Sequence, residues 1–91
     1  MYLNQCLEMF ITEKKLDDCT SSTITFYEYT VKKLISFIQD IEGDDIPVNH
    51  IYKYIKPYFL SLKTNTKLSP HSYNTFIRGV KVFTRFLFSE G

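Results

Sequence analysis

His71, Asn74, Arg78, Lys81 and Arg85 follow one another at steps of three and four near the end of the sequence. On a helix that spacing forms one stripe. The chemistry such a stripe offers is anion binding: guanidinium and ammonium groups that bond phosphate oxygens, with an imidazole and an amide between them. A solvated stripe ordinarily mixes signs, because Glu paired with Lys or Arg four residues on stabilises a helix. This one holds no carboxylate until Glu90. Earlier in the chain Ser22, Thr25, Tyr29, Lys32 and Lys33 make a second polar row, hydroxyl-rich and cationic.

Both rows need helices to hold them. Ser69 before Pro70 marks a helix start, the serine oxygen accepting a free N–H and proline taking the first helical position. Opposite the basic row run Tyr73, Phe76, Val80, Phe83 and Leu87, an apolar stripe at the same spacing. The expected helix covers about 69–89. Thr20, Ser21 and Ser22 offer capping hydroxyls for a helix over about 21–39, whose apolar positions are Ile24, Tyr27, Val31, Leu34 and Ile38.

Ahead of it, Leu3, Leu7, Phe10 and Ile11 predict a first helix over about 2–15, closed by a turn at Leu16-Asp17-Asp18-Cys19. The acidic run Asp40 to Asp45 lacks the ligand order of a calcium loop and reads as a solvated connection. A third helix, about 47–63, enters at Ile46-Pro47 and carries Ile51, Tyr54, Ile55, Tyr58, Phe59 and Leu62. Pro57 removes one backbone bond inside it, so a kink or break is expected near Tyr54 to Pro57. Lys63 to Lys67 is a polar loop. Gly79 costs about 1 kcal/mol of helix stability against alanine and leaves room for a neighbour to pack close. No segment alternates with period two for long enough to make a strand. The expected fold is all-α, four helices around an aromatic and aliphatic core.

Composition bounds the function. Ninety-one residues make one domain, 1–91, able to bury roughly 60–65% of its unfolded surface and to fold without metal or disulfide. Eight Phe and seven Tyr supply the core, and the net charge of only +1 means that any electrostatic case rests on where the charges sit. Cys6 and Cys19 form no CxxC pair and read as packing residues in a reducing compartment. His50 and His71 have no spacing suited to zinc, and no phosphate-binding glycine loop or nucleophile motif occurs. The expectation is therefore no catalytic residue, no metal, no cofactor and no small-molecule ligand. Without a basic leader or a run of roughly 20 apolar residues, the chain is expected in the cytoplasm and off the membrane.

Thr20-Ser21-Ser22-Thr23-Ile24 with Tyr27, Leu34 and Phe37 form the first half of a wider pattern. Leu68-Ser69-Pro70-His71-Ser72-Tyr73-Asn74 with Phe76, Val80-Lys81, Phe83, Arg85-Phe86-Leu87 and Glu90-Gly91 form the second. In this order and spacing they resemble the N-terminal core-binding, SAM-like domain of tyrosine recombinases, the phage-type and Xer-like integrases. The likeness runs from about Leu3 to Gly91 and is one of residue classes, not of an invariant signature. Gly79 departs from it where alanine is usual, Thr84 where an apolar residue is common, and Pro57 interrupts the third helix.

The resemblance implies a four-helix SAM-like bundle lying across one face of a recombination-site core duplex, its second and fourth helices toward double-stranded DNA. It implies DNA contacts from Ser22, Thr25, Tyr29, Lys32 and Lys33, and from His71, Asn74, Arg78, Lys81 and Arg85. Ser21, Ser69 and Ser72 at the capped helix starts, with Lys67 ahead of the last, join them as expected phosphate contacts. About five neutralised phosphates predict a slope of log K on log salt of roughly −4 to −5. The resemblance places the nucleophilic tyrosine and its activators in a separate C-terminal catalytic domain, so the fragment itself is expected not to be an enzyme, and Gly91 is expected at a domain boundary. Partners beyond DNA are then other recombinase protomers. The competing expectation is a small helical protein-interaction module that uses the tyrosine-rich third helix, or exposed Tyr29 and Val82.

Overall fold

Thr20 is in extended conformation and its Oγ1 accepts the Thr23 N–H at 3.2 Å, which starts the longest helix. In the computed structural model, which describes residues 1–65 and 67–90, the chain forms α1 (Leu3–Leu16), α2 (Ser21–Glu42), a 3-10 turn (Val48–His50), α3 (Tyr52–Thr64) and α4 (Pro70–Glu90). The described residues are all-α, with four α-helices and no strand. The Gly91 boundary, Thr66 of the polar loop and the Glu90 side chain lie outside the described residues.

α1 ends in a Schellman turn. The Cys19 N–H reaches the Lys14 carbonyl at 3.2 Å and the Asp18 N–H that of Lys15 at 3.2 Å, with Asp18 left-handed at φ 59°. α2 runs past the expected end at 39 because Asp40, Ile41 and Glu42 contain no helix breaker. It stops at Gly43, left-handed at φ 80°, whose N–H bonds the Gln39 carbonyl at 2.7 Å.

α3 begins at Tyr52 rather than at 47, for a non-local reason. Pro47 pairs with Tyr2 in an antiparallel bridge, the Leu3 N–H donating to the Ile46 carbonyl at 3.1 Å and the Val48 N–H to the Met1 carbonyl at 2.8 Å. Those bonds hold Pro47 extended at ψ 142° and supply a partner for the start of α1, which has no side-chain cap. Of the kink or break expected near Pro57, the break does not occur: α3 is continuous from Tyr52 to Thr64. Pro57 removes one N–H from the helix ladder without ending the helix.

α2 packs against both α1 and α4, and α3 closes the remaining side. The core centres on Phe10, whose ring lies 5.2 Å from Phe83 edge-on, 5.3 Å from Phe86 and 5.7 Å from Tyr27. The expected apolar stripes are buried or half-buried throughout, and Phe86 joins them because α1 brings Phe10 to it. Val82, expected at the surface in the protein-interaction reading, is half-buried and packed on this core.

α2 and α4 approach closely at Gly79. A Cβ placed on Gly79 would lie 2.6 Å from Thr30 Cβ and closer still to its Oγ1. Thr30 is buried, and its hydroxyl donates to the Tyr27 carbonyl at 3.1 Å, so nothing polar is left unpaired at the crossing. Gly79→Ala should therefore lower stability by about 1–3 kcal/mol through overpacking, although alanine is the better helix former; urea unfolding measures it. Phe83→Ala should cost about 3–5 kcal/mol through a core cavity. An unchanged thermal midpoint for that variant would mean the buried face of α4 is misassigned.

Candidate nucleic-acid interface

α4 holds its polar row away from the core by helical periodicity alone. Val80 and Phe83 are completely buried, whereas His71, Asn74, Arg78, Lys81 and Arg85 are all exposed. Ser69 Oγ accepts the Ser72 N–H at 3.1 Å and donates to Ser72 Oγ at 3.1 Å, and the Ser69 carbonyl takes the Tyr73 N–H at 2.9 Å. Ser69 is exposed and Ser72 half-buried. In this first turn Pro70 has no N–H, so His71 N–H is the donor that remains unengaged among the described residues. Exposed Lys67 precedes it, its N–H tied to Asn65 Oδ1 at 3.1 Å.

The start of α2 is more open. Thr20 takes the N–H groups of Thr23 and Ile24, leaving those of Ser21 and Ser22 unengaged among the described residues. Ser21, Ser22, Thr25, Phe26 and Tyr29 line a shallow hollow of about 560 Å³. The helix-dipole end, two free N–H groups and the hydroxyls of Ser21, Ser22, Thr25 and Tyr29 there suit a phosphate. Tyr29 carries this surface across to α4, its ring 5.7 Å from that of Phe76, and Lys33 Nζ sits 5.4 Å from the Tyr29 ring centroid.

The expected α2 row does not hold together as one cationic face. Lys32 turns from Lys33 toward α1: its Nζ donates to Glu28 Oε1 at 3.2 Å, beside a hollow shared with Glu8, Thr12 and Lys15. An exposed pair of this kind is worth little to stability, but it offsets the charge that Lys32 would bring to a phosphate. Among the described residues the ion pairs are Lys32–Glu28 and Lys14–Asp17, so Lys33, Arg78, Lys81 and Arg85 have no carboxylate partner.

Two further side chains accompany the basic row. Lys81, Thr84 and Arg85 line a hollow of about 290 Å³ with Tyr52 of α3 and Phe88. Phe88 continues the stepping of the row itself, 71, 74, 78, 81, 85, 88, and that continuation is visible in the sequence. Tyr52 has no such signal, because only the packing of α3 on α4 brings it there.

Two groups of the core have a shifted pKa. Burial pushes the Cys6 thiol up, opposed by the chain's amino terminus and reinforced by Asp45. Burial pushes the Tyr58 phenol up to about 12, with Tyr29 adding to it. Both shifts report packing, Tyr58 lying 5.3 Å ring to ring from Phe37. No three His, Cys, Asp or Glu side chains gather as a metal site among the described residues, and no described helix is long and apolar enough to cross a membrane. Comparison with models of known protein families, with curated proteins and with solved structures finds no match.

The Tyr58 shift has a measurable consequence. Above an ordinary tyrosine pKa of about 10 the unfolded chain loses the phenol proton while the native state keeps it, so stability falls as pH rises. Between about pH 9 and 11.5 this one group should remove about 2 kcal/mol. Urea unfolding of Tyr58→Phe should show a pH profile flatter than the parent's by that amount.

Proposed function

We propose that this chain is the DNA-binding domain of a tyrosine site-specific recombinase or integrase, clamping one face of the recombination-site core duplex during integration or recombination. The observation that carries the reading is the α4 row: Arg78, Lys81 and Arg85, exposed and, among the described residues, without a carboxylate partner, opposite fully buried Val80 and Phe83. A duplex carries a negative charge on every backbone unit, and a straight cationic stripe backed by a rigid core matches it with little ordering cost. The hydroxyl-lined start of α2, linked to α4 through Tyr29 and Phe76, adds neutral phosphate donors beside the cations.

In this reading the domain positions DNA and does no chemistry. Strand cleavage and rejoining belong to a separate C-terminal catalytic domain of the parent protein, which acts in the cytoplasm together with other protomers on the same site. Lys32 contributes less than the other cations because Glu28 already neutralises it. With Lys33, Arg78, Lys81 and Arg85 as the phosphate contacts, the slope of log K on log salt becomes roughly −3 to −4, shallower than the −4 to −5 expected with Lys32 counted.

A helical protein-interaction module is the second reading, favoured by exposed Tyr29, Tyr52 and Phe88. Salt separates the two, since an apolar interface is nearly insensitive to ionic strength while phosphate contacts are not. Arg78→Ala should weaken duplex binding, reduce the salt slope by about 0.9 and leave the thermal midpoint unchanged, because the side chain is solvent-exposed. Fluorescence anisotropy over a salt series reads both quantities. Equal affinity of variant and parent at low salt would remove Arg78 from the interface.

A further inference from the structure

Two hollows meet at the junction of α3 and α4, and Tyr52 and Phe88 line both. One, of about 290 Å³, has Lys81 and Arg85 on its wall; the other, of about 420 Å³, is apolar, closed by Val48 and Leu87 with the Asn49 amide at its edge. Together they reach the size of a small-ligand site, roughly 300–1,000 Å³. Tyr52 is 52% and Phe88 80% exposed, so two aromatic faces stand in water beside two cations that no carboxylate neutralises among the described residues. Other hollows on the molecule differ in charge: one along α1 is lined by Glu8 and Glu13, where a phosphate would be repelled, and another sets Glu8 and Glu28 against Lys15 and Lys32.

We infer that this groove binds an unpaired nucleotide, its base laid on Tyr52 and Phe88 and its phosphate held by Lys81 and Arg85. The inference rests on the DNA-binding reading and extends it from the duplex to a single strand. A base inside a duplex has both faces covered by its neighbours and offers nothing to an aromatic ring. An unpaired base exposes a π-face, and stacking on an aromatic side chain tolerates any base identity. Asn49, with a donor and an acceptor on one amide, stands where a base edge would lie. Charge complementarity selects nucleic acid over an apolar peptide: the apolar hollow opens onto Lys81 and Arg85, the end of a row of cations that continues along α4 as a backbone track.

The test compares a fluorescently labelled oligothymidylate of about eight nucleotides, within the range one such site spans, with a blunt duplex. Both are titrated into the parent and into Tyr52→Ser, Phe88→Ser and Arg78→Ala, with sedimentation of each free protein as a companion measurement. Tyr52 and Phe88 are exposed, so neither serine variant should lose its fold. Each is expected to weaken oligothymidylate binding about ten-fold and to leave duplex affinity within about two-fold, whereas Arg78→Ala weakens the duplex. Retained duplex binding with unaltered oligothymidylate affinity in both serine variants would overturn the groove alone. No duplex binding by the parent at low salt would instead overturn the interface on which it rests. A concentration-dependent rise in mass that Phe88→Ser abolishes, without any oligothymidylate binding, would assign the groove to a second copy of this chain and overturn the inference.

Discussion

Where α2 crosses α4, Thr30 lies so close over Gly79 that a β-carbon on the glycine would overlap both the threonine hydroxyl and its Cβ. The crossing fixes how far apart the two longest helices sit and how each is rotated. Thr30 at the crossing puts Tyr29, one residue earlier, on the outer edge of α2, where its ring reaches Phe76 of α4. Gly79 at the crossing puts Arg78 on the outer side of α4 and Val80 on the inner. A larger residue would part the helices and loosen the contacts of Phe83 with Phe10 behind them. The helix propensity lost at Gly79 is therefore the local cost of a rigid support for the outward rows.

Charge on those rows is arranged by position rather than by amount. The whole chain carries a net charge of only +1, and Lys32 is held by Glu28, yet among the described residues Arg78, Lys81 and Arg85 stand in one line with no carboxylate partner. Acidic residues are concentrated elsewhere, in Asp40 to Asp45 across the end of α2 and in Glu8 and Glu13 along α1. Within a Debye length of about 8–10 Å the local stripe governs what an approaching anion meets. The aromatic residues at the far end of the stripe, Tyr52 and Phe88, give it a second character that charge alone would not.

Features set by neighbours in sequence were legible before folding. Ser69 and Pro70 announce α4 because capping is decided within one turn, and the same holds for Thr20 at the start of α2. Periodicity placed Val80 and Phe83 inside and Arg78 outside for the same local reason. The start of α3 was not legible, since it depends on a bridge from Tyr2 to Pro47 across the fold. Nor was the burial of Phe86, which Phe10 of another helix determines. The Lys32–Glu28 pair lay open to view as a four-residue spacing, but reading only the outward stripe passed over it. Of the candidate surface, the α4 row was legible almost whole; in the groove, Lys81 and Arg85 belong to that row and Phe88 continues its spacing, whereas Tyr52 carries no such signal.

The central claim is that the outward faces of α2 and α4 form one surface for duplex DNA. A two-dimensional amide NMR titration with a short duplex at low and at moderate salt tests it most directly, because it detects even millimolar binding and reports where it occurs. The account predicts shifts concentrated at Ser21 to Lys33 and at Ser69 to Arg85, fading as salt rises. An absence of shifts at low salt, or shifts confined to α3, would contradict it.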